Sequence, residues 1–234
     1  MTSPAAEWHE FASAGALANS LAASVAGDLR AAIARRGRAT LAVSGGTTPG
    51  RFFDVLSGET LDWDKVTVTL IDERFVPETS DRSNAKLVRG RLIRNKAAKA
   101  GFAGLYRDAP DAGAAAHAVT AELTRLTPFD VAVLGMGGDG HTASLFPDAA
   151  ELERLADPAT PSGIYVVHAP SAGEPRLTWP LSAIVAARAL YLHIEGNEKR
   201  KVAEAALSPA SGLVIGRVLG AAPRAPTIFW APSG

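Results

Sequence analysis

A histidine and an aspartate stand two residues apart in the glycine-rich stretch GMGGDGHT, residues 135–142. A carboxylate beside an imidazole can orient the ring and decide which ring nitrogen carries the proton, as a general base requires. Glycines around such a pair let a ligand approach the backbone closely. The spacing therefore indicates acid–base chemistry at His141, assisted by Asp139. The plain structural alternative is that His141 caps a backbone carbonyl and Asp139 caps a helix that starts near Thr142.

The same glycines match two nucleotide-binding patterns, and neither match holds. Residues 135–140 fit G-x-G-x-x-G, but that dinucleotide pattern belongs in the first strand–helix–strand unit, with an acidic residue closing the next strand. Asp157 has roughly the expected spacing but precedes Pro158, where no strand ends, and Asp139 would put a carboxylate in the phosphate loop. In the P-loop pattern His141 replaces the lysine, and a mostly neutral imidazole cannot supply its permanent charge.

Other segments carry residues suited to an anionic ligand. SGGTTPG, residues 44–50, offers backbone N–H groups, hydroxyls and a following helix start, which together suit a phosphate. DERF places Asp72 and Arg74 directly after a strand. Arg176 is an isolated cation among apolar neighbours, and Lys199 falls in the first turn of a helix, where a cation opposes the dipole. The structural alternatives are an ordinary strand-to-helix turn, a surface ion pair in DERF and a solvated lysine.

The remaining histidines have no such company and are interpreted as structural. His117 is expected on a helix surface, His168 and His193 at strand ends, and His9 has no assigned role. No histidine–carboxylate group has the spacing of metal ligands, so we expect neither a metal nor another cofactor.

Hydrophobic periodicity predicts the elements that position these segments. Strands are predicted at 39–43, 66–71, 129–134, 164–167, 189–194 and 227–230. Helices are predicted at 11–36, 49–56, from 80–84 to about 95, and at 112–126, 181–187 and 198–207. Strands alternating with helices indicate an α/β fold, a largely parallel, doubly wound sheet with helices on both faces. Ligands bind such sheets at the carboxyl ends of the strands, where SGGTTPG, DERF and GMGGDGHT should meet.

The composition suits one α/β domain, residues 1–234, that acts on a small molecule. The chain has 234 residues, 47% of them hydrophobic, enough for a sizeable core. Its 24 basic and 24 acidic residues balance, so nucleic acid and anionic membranes are not expected partners. No signal sequence, apolar span or cysteine is present, which fits a cytoplasmic protein. We expect a monomer or a small homo-oligomer.

Four segments, taken in order along the chain, resemble the 6-phosphogluconolactonase family. They are LAVSGGTTPGRFFDVL, VTLIDERFVPETSDRSNAKLVRGRLI, FDVAVLGMGGDGHTASLFP and the pair PRLTW and HIEGNEKRK, spanning about 41–207. The match in DERFVP through SNA and in GMGGDGHTASLFP is highly specific. The resemblance implies the sheet-and-helix fold shared with glucosamine-6-phosphate deaminases. It also implies hydrolysis of 6-phospho-D-glucono-1,5-lactone to 6-phosphogluconate, in the oxidative pentose phosphate pathway.

The resemblance further implies a role for each candidate residue. His141 resembles the general base that activates water for attack on the lactone carbonyl, and Asp139 would orient or tune it. Arg74, with Asp72 near it, would contact the sugar and could stabilise negative charge on the carbonyl oxygen. The residues expected to bind the substrate, chiefly its phosphate, are Ser44, Gly45, Gly46, Thr47, Thr48, Gly137, Gly138, Arg176 and Lys199.

Two other functions stay open from the sequence. A glucosamine-6-phosphate deaminase or isomerase would use the same loops, but its loop resembles a Phe-Asn-Glu-Pro run whose glutamate assists ring opening. Here Leu145 and Phe146 precede Pro147, and Asp148 beyond the proline cannot be assumed to replace that glutamate. A non-catalytic sugar-phosphate sensor would add a DNA-binding segment, for which we see neither spare length nor a basic helix-turn-helix candidate.

Overall fold

Strands and helices alternate along residues 5–233, the part of the chain that the structure, a computed structural model, describes. The strands are β1 Glu7–Glu10, β2 Ala39–Val43, β3 Val66–Leu70, β4 Asp72–Arg74, β5 Gly101–Ala103, β6 Val131–Leu134, β7 Tyr165–Val167, β8 Arg176–Thr178, β9 Ala189–Glu195 and β10 Thr227–Ala231. The α-helices are α1 Ala14–Arg36, α2 Gly50–Ser57, α3 Asn84–Arg91, α4 Ala112–Leu123, α5 Leu152–Leu155, α6 Leu181–Val185, α7 Asn197–Ala206 and α8 Val214–Ala221.

A parallel sheet in the order β1-β10-β9-β6-β2-β3-β5 forms the centre of the molecule. Its middle strands are apolar and covered on both faces: all of β6 is buried, and so is β2 apart from the half-buried Thr40. Continuous burial of this kind is what a parallel sheet between two helical layers requires. The predicted α/β fold with a largely parallel sheet and surrounding helices is confirmed.

Helix α1 shows how a flanking layer is attached. Ser13 caps its start, because Ser13 Oγ accepts a hydrogen bond from the backbone N–H of Ala16 at 3.2 Å. The helix ends at Gly37, whose φ of 72° lies in the left-handed region that glycine adopts without strain. Its larger buried side chains are Leu17, Leu21, Val25 and Leu29. This apolar face packs against α2 and the strands beneath.

The chain reverses its direction through the sheet between β2 and β6. From β2 it moves outward through β3 to the edge strand β5; it then returns to β6, beside β2, and moves the other way to β9 and β10. Loops that leave two neighbouring strands in opposite directions open a crevice at the carboxyl ends of those strands, which is where open α/β sheets bind ligands. Both glycine-rich stretches, 44–50 and 135–142, start at this crevice.

A second, antiparallel sheet in the order β4-β8-β7 stands next to the first. Because β4 begins two residues after β3 ends, the first three residues of DERF, Asp72–Arg74, form a strand of their own and not only a turn after one. The prediction that residues 164–167 complete the central sheet is wrong, because β7 pairs with β8 instead. A short apolar run indicates a strand but does not identify the partner strand.

Some element boundaries also differ from the predicted ones. The helix expected from 80–84 to about 95 is the shorter α3, capped by Ser83, whose Oγ accepts a hydrogen bond from the Lys86 N–H at 3.2 Å. The sequence patterns do not predict β1, β5 or α8, since short edge strands and a glycine-containing helix give weak periodic signals. No helix starts near Thr142, where the described chain forms turns.

Helices α7 and α8 meet at a glycine, and we expect its replacement to destabilise the fold. A Cβ atom at Gly216 would lie 2.3 Å from the backbone oxygen of Ala206 at the end of α7. Gly216→Ala should lower the free energy of unfolding by about 1–3 kcal/mol, measured by urea unfolding followed by circular dichroism.

Gly220 lies in the same helix, is exposed and would place its Cβ in open space, so it gives the matched control. Gly220→Ala should raise the free energy of unfolding by about 0.5–1 kcal/mol. Equal effects of the two substitutions would contradict the close approach of α7 and α8.

Candidate active site

A cavity of about 200 Å³ opens at the crevice between β2 and β6. Of the residues predicted to form the site, it is lined by Ser44, Gly45, Gly46, Thr47, Thr48, Asp72, Arg74, Gly137, His141 and Lys199. Gly138, Asp139 and Arg176 lie outside the lining. The lining residues that the sequence did not single out are Pro49, Phe53, Asn84, Val133, Leu134, Gly135, Met136, Thr142, Ala143 and His193. The four predicted segments therefore meet at one place, mainly because their strands end at one edge.

The imidazole of His141 is held by the carboxylate of Asp139. Asp139 Oδ1 lies 2.6 Å from His141 Nδ1 and also accepts a hydrogen bond from the His141 backbone N–H at 3.1 Å. Asp139 thus binds the histidine and caps no helix, so the structural alternative for this pair is wrong. With the proton on Nδ1 directed at the carboxylate, Nε2 keeps its lone pair. The side chain of His141 is 26% exposed and lines the cavity, so this nitrogen is available to act as a base.

The glycines of this loop serve the histidine and not a nucleotide. A Cβ at Gly137 would lie 2.3 Å from His141 Nδ1 and 2.6 Å from Asp139 Oδ1, so the paired side chains lie directly across its Cα. The Gly137 N–H donates to the His141 carbonyl at 2.9 Å, and the Gly140 N–H to the Gly137 carbonyl at 3.1 Å. At Gly140, φ is 81°. Gly137 and Gly140 are therefore explained by the close contacts and the tight turn of the loop, and no phosphate ligand is needed to account for them.

Phe146 packs on the histidine and was not identified from the sequence. The ring centroids of His141 and Phe146 are 4.3 Å apart. The guanidinium of the buried Arg176 lies 5.7 Å from the centroid of the same Phe146 ring. The contact fixes the ring plane of His141. A phenylalanine in an apolar run carries no sequence signal for such a role.

Asp72 connects the histidine loop to the second sheet. The Ser144 hydroxyl donates to Asp72 Oδ2 at 2.5 Å, and the Ser144 N–H donates to Thr178 Oγ1 at 3.3 Å. Between Thr142 and Ser144, Ala143 has a φ of 54°, a backbone conformation that costs an alanine about 1–2 kcal/mol. The bonds of Ser144 to β4 and β8 hold the loop in this strained shape beside the cavity.

The two carboxylates of DERF have different functions. Glu73 is fully buried, and its oxygens accept hydrogen bonds from the Arg74, Asn84 and Ala85 N–H groups and from the Ser83 hydroxyl. Burial raises the pKa of the Glu73 carboxyl, against the effect of these hydrogen bonds. Glu73 therefore anchors the start of α3 and lies outside the cavity lining, whereas Asp72 lines the cavity.

Gly45 packs against the side chain that α3 contributes to the cavity wall. A Cβ at Gly45 would lie 1.9 Å from Asn84 Oδ1, a distance that no side chain tolerates. The Asn84 amide in turn donates to the Asp72 carbonyl at 2.9 Å. Asn84 thus joins the loop after β2 to the start of β4, and glycine is required at position 45 by this close approach.

Arg74 and Arg176 face each other across the second sheet. They are register partners in the antiparallel pair of β4 and β8. Arg176 is 5% exposed, and burial together with the charge of Arg74 lowers the pKa of its guanidinium. Within residues 5–233, neither Asp72 nor Arg74 forms an ion pair, so the surface ion-pair alternative for DERF is wrong. Arg176 pairs with Glu174 at 3.7 Å, whereas Arg74 has no ion-pair partner in the described residues and can attract an anion to the cavity that it lines.

The loop after β2 presents hydrogen-bond donors without partners. In the described part of the chain, the backbone N–H groups of residues 45–48 have no acceptor, and Ser44 Oγ is buried without a partner. Gly46 has a φ of 92°, which turns the loop back over the cavity. Lys199, half-buried in the first turn of α7, forms no ion pair with any residue in 5–233, and burial lowers its pKa. These groups suit a phosphate.

The comparisons with known proteins were consistent with one another. Residues 12–220 match the model of the family described as "Glucosamine-6-phosphate isomerases/6-phosphogluconolactonase". A protein of Mesorhizobium japonicum named 6-phosphogluconolactonase is 53% identical over 226 residues, which cover 96% of this chain and 95% of that protein. A crystal structure of a 6-phosphogluconolactonase from Shewanella baltica is 37% identical, covers 99% of this chain and 100% of that one, and superimposes with a TM-score of 0.92.

A more distant likeness extends the fold to another activity. A monomeric glucosamine-6-phosphate deaminase of the NagB superfamily superimposes with a TM-score of 0.76 at 16% identity, covering 97% of both chains. At this identity the likeness concerns the fold alone. The predicted sharing of the fold with such deaminases is confirmed.

Two negative observations apply to residues 5–233. No helix there is long and apolar enough to cross a membrane. In the same range, no group of three or more His, Cys, Asp or Glu side chains is placed to hold a metal ion.

The contact of the His141–Asp139 pair with Gly137 gives a direct test of the loop. Gly137→Ala places a methyl group into the imidazole and the carboxylate, so it should displace the pair and lower the turnover number about 10²-fold or more. The measurement is steady-state kinetics on the substrate proposed below, with the unfolding temperature as a check on folding.

Gly138→Ala gives the comparison, because a Cβ at Gly138 meets nothing within 4 Å. Its turnover should fall much less than that of Gly137→Ala. Similar losses in both variants would contradict this explanation. They would show that the glycines are needed for the conformation of the loop backbone and not for the position of the His141 ring.

Proposed function

The chain belongs to the family of glucosamine-6-phosphate isomerases and 6-phosphogluconolactonases, and from this membership we propose that it hydrolyses 6-phospho-D-glucono-1,5-lactone to 6-phosphogluconate. This is the reaction that opens the lactone in the oxidative pentose phosphate pathway. One observation supports it most strongly: a histidine held by a carboxylate faces a cavity whose other wall carries unpartnered donors for a phosphate. The substrate has an ester for the first group and a phosphate for the second.

His141 acts as the general base in the proposed mechanism. Its Nε2 takes a proton from a water molecule as the water oxygen bonds to the lactone carbonyl carbon. Asp139 stabilises the imidazolium that forms and keeps the ring in place. The tetrahedral intermediate then collapses: the bond from the carbonyl carbon to the ring oxygen breaks, and the ring oxygen takes the proton back from His141. The product is the open-chain acid, and the histidine is neutral again.

Negative charge develops on the carbonyl oxygen in the first step. We assign its stabilisation to Arg74, which lines the cavity, has no ion-pair partner within residues 5–233 and is fixed by a 2.5 Å hydrogen bond from Nη1 to the Arg82 carbonyl. A fixed cation at this place contributes more in a partly enclosed site than it would in water. Asp72 is held by Ser144 through one carboxylate oxygen, and its other oxygen would accept hydrogen bonds from the sugar hydroxyls and so orient the substrate.

The phosphate is proposed to bind to the loop 44–48 and to Lys199. Backbone N–H groups, the hydroxyls of the loop and the ammonium group all lack partners in the described chain, so the ligand would satisfy them at once. Arg176 lies behind the cavity wall, with Nη2 bonded to the Ala172 carbonyl at 2.8 Å. Its assignment as a phosphate ligand stays a prediction; its charge beside Arg74 contributes to the positive potential.

The deaminase alternative is disfavoured by the residues that follow the histidine. Phe146 packs its ring on His141, at the place where a deaminase loop would supply a carboxylate. Asp148 is engaged elsewhere, since its oxygens accept hydrogen bonds from the Ser171 N–H at 2.8 Å and the Ser171 hydroxyl at 2.9 Å. These bonds lower the pKa of Asp148, so it stays ionised and would be a poor proton donor. The sensor alternative gives no reason for the Asp139–His141 pair.

The remaining expectations belong to the same proposal. We propose that the chain works as one domain, as a monomer or small homo-oligomer, in the cytoplasm, on a free phosphorylated lactone and without nucleic acid. The equal numbers of basic and acidic residues, 24 each, support a small-molecule partner over a polyanion.

The experiment that tests the function follows freshly made 6-phosphogluconolactone by NMR, with and without the purified protein. The lactone opens by itself, so the uncatalysed rate is measured alongside. The wild type should accelerate the reaction, and His141→Ala should lose about 10²–10⁴-fold of the turnover number. Acceleration that survives the substitution would keep the function and discard His141 as the base. No acceleration by a folded wild type would reject the function.

Lys199 should affect binding more than turnover. Lys199→Ala removes one charged contact to the phosphate, so KM should rise about tenfold or more while kcat changes little. Lys201→Ala is the matched control, because Lys201 lies in the same helix, is exposed and pairs with Glu198 at 2.8 Å. Equal loss of kcat in Lys199→Ala and His141→Ala would contradict the division between a phosphate end and a reacting end.

A further inference from the structure

His193 lies in the cavity wall, although its sequence context gives it only a structural role. It is 3% exposed, belongs to β9 and packs edge-on against Phe52 of α2. The residues that line the cavity include His193 together with Ser44 and Lys199. None of the steps proposed above uses this second imidazole.

The two ring nitrogens of His193 are in different situations. Nε2 lies 3.1 Å from Glu195 Oε1. Nδ1 is buried and has no hydrogen-bond partner among residues 5–233. A carboxylate oxygen only accepts hydrogen bonds, so in this contact Nε2 carries the proton and donates it to Glu195. A buried nitrogen without a partner is unfavourable, and a ligand that bonded to it would remove that cost.

Two other groups that line the same cavity are unpartnered as well. Ser44 Oγ is buried with no partner in the described chain, and Lys199 forms no ion pair there. Leu134 pairs with Leu192 in the register of β6 and β9, so Gly135 is the next residue beside His193. A Cβ at Gly135 would lie 3.9 Å from Ser44 Cβ. Position 135, which carries no side chain, thus lies next to both His193 and Ser44.

Glu195 indicates which end of the cavity His193 belongs to. With Thr47, Thr48 and Arg51, Glu195 lines a second, adjoining cavity beside the loop after β2. The charges of Lys199 and Arg51 also lower the pKa of this carboxylate. A carboxylate next to a phosphate would repel it, but here cations and the His193 ring surround Glu195. The pair thus sits on the side of the loop and Lys199.

We propose that His193, oriented by Glu195, is a further substrate-binding residue that contacts the phosphate group of the substrate through Nδ1. The inference rests on the proposed function, because it takes the ligand to be a phosphorylated lactone. A phosphate monoester carries about −1.5 to −2 charges at pH 7. When the phosphate binds, the ring takes up a proton from solvent on Nδ1 while its Nε2 proton stays directed at Glu195, and Nδ1 then donates a charge-assisted hydrogen bond to the phosphate.

Substitutions that separate the two nitrogens test the proposal. The asparagine amide ends near the position of Nδ1, and the glutamine amide near that of Nε2. His193→Gln should weaken the binding of inorganic phosphate and of 6-phosphogluconate about tenfold, whereas His193→Asn should weaken it less. Binding is measured by isothermal calorimetry, and kcat and KM are measured on the lactone. In His193→Gln, KM should rise with kcat retained within about threefold.

His168→Gln is the matched control, because His168 also lies near a carboxylate, 3.4 Å from Glu151 Oε1, but is exposed and outside the cavity. Phosphate affinity should be unchanged there. If His193→Gln does not fold, His193→Leu replaces it as the variant that lacks both nitrogens.

Unchanged phosphate affinity in a folded His193→Gln, with kcat lowered instead, would overturn the proposal and assign His193 a structural role. Absence of both phosphate and product binding to the wild type would overturn it too. The proposed function is judged separately, by lactone consumption in the wild type. A wild type that hydrolyses the lactone while His193→Gln keeps full affinity would reject the role of His193 alone.

Discussion

The hydrogen bond between Asp139 Oδ1 and His141 Nδ1 is the interaction on which the rest of the site depends. It directs one ring nitrogen at a carboxylate and leaves the other with a lone pair facing the cavity. Holding it requires a glycine beneath the ring at Gly137, a tight turn at Gly140 and a packed ring at Phe146. The loop has a strained backbone at Ala143, and Ser144 next to it bonds Asp72 and Thr178 of the second sheet, which stabilises this conformation.

The second constraint is electrostatic. The chain has as many basic as acidic residues, yet Arg74 and Lys199 line the cavity with no ion pair in residues 5–233. Buried or half-buried cations lose hydration, which is why the pKa values of Arg176 and Lys199 are lowered. A dianionic ligand would offset that cost, so the loss of hydration at these cations favours a phosphorylated substrate. The buried Glu73 differs from these cations, because backbone N–H groups of the protein itself donate hydrogen bonds to its carboxylate and no ligand is needed.

Much of this arrangement could be predicted from the sequence, and the limits have physical reasons. Apolar runs predict β2, β3 and β6, and parallel strands bring the residues after them together, so Ser44, Asp72 and His141 were expected at one edge.

Pairing between distant short strands has no local signal, so β7 was assigned to the wrong sheet. The environment of a single side chain is equally non-local. His193 packs against Phe52, which lies far from it along the chain, and its own neighbours in sequence do not indicate a cavity. Phe146 lies close to His141 in sequence, but a phenylalanine in an apolar run does not indicate that its ring will pack on the imidazole. Arg176 shows the reverse case, because an isolated cation in sequence turned out to lie behind the wall.

Asp139 fixes His141 so that the lone pair of Nε2 faces the substrate in the proposed mechanism. Long-range proton–nitrogen NMR spectra of protein labelled with ¹⁵N-histidine test it directly, at mildly alkaline pH where imidazoles are neutral. The signals of His141 are identified by their loss in His141→Ala. The wild type should show the proton on Nδ1 and a bare Nε2, and Asp139→Asn should move the proton to Nε2. A wild-type ring that already carries its proton on Nε2 would contradict the account, because that tautomer cannot take a proton from water at the face of the cavity.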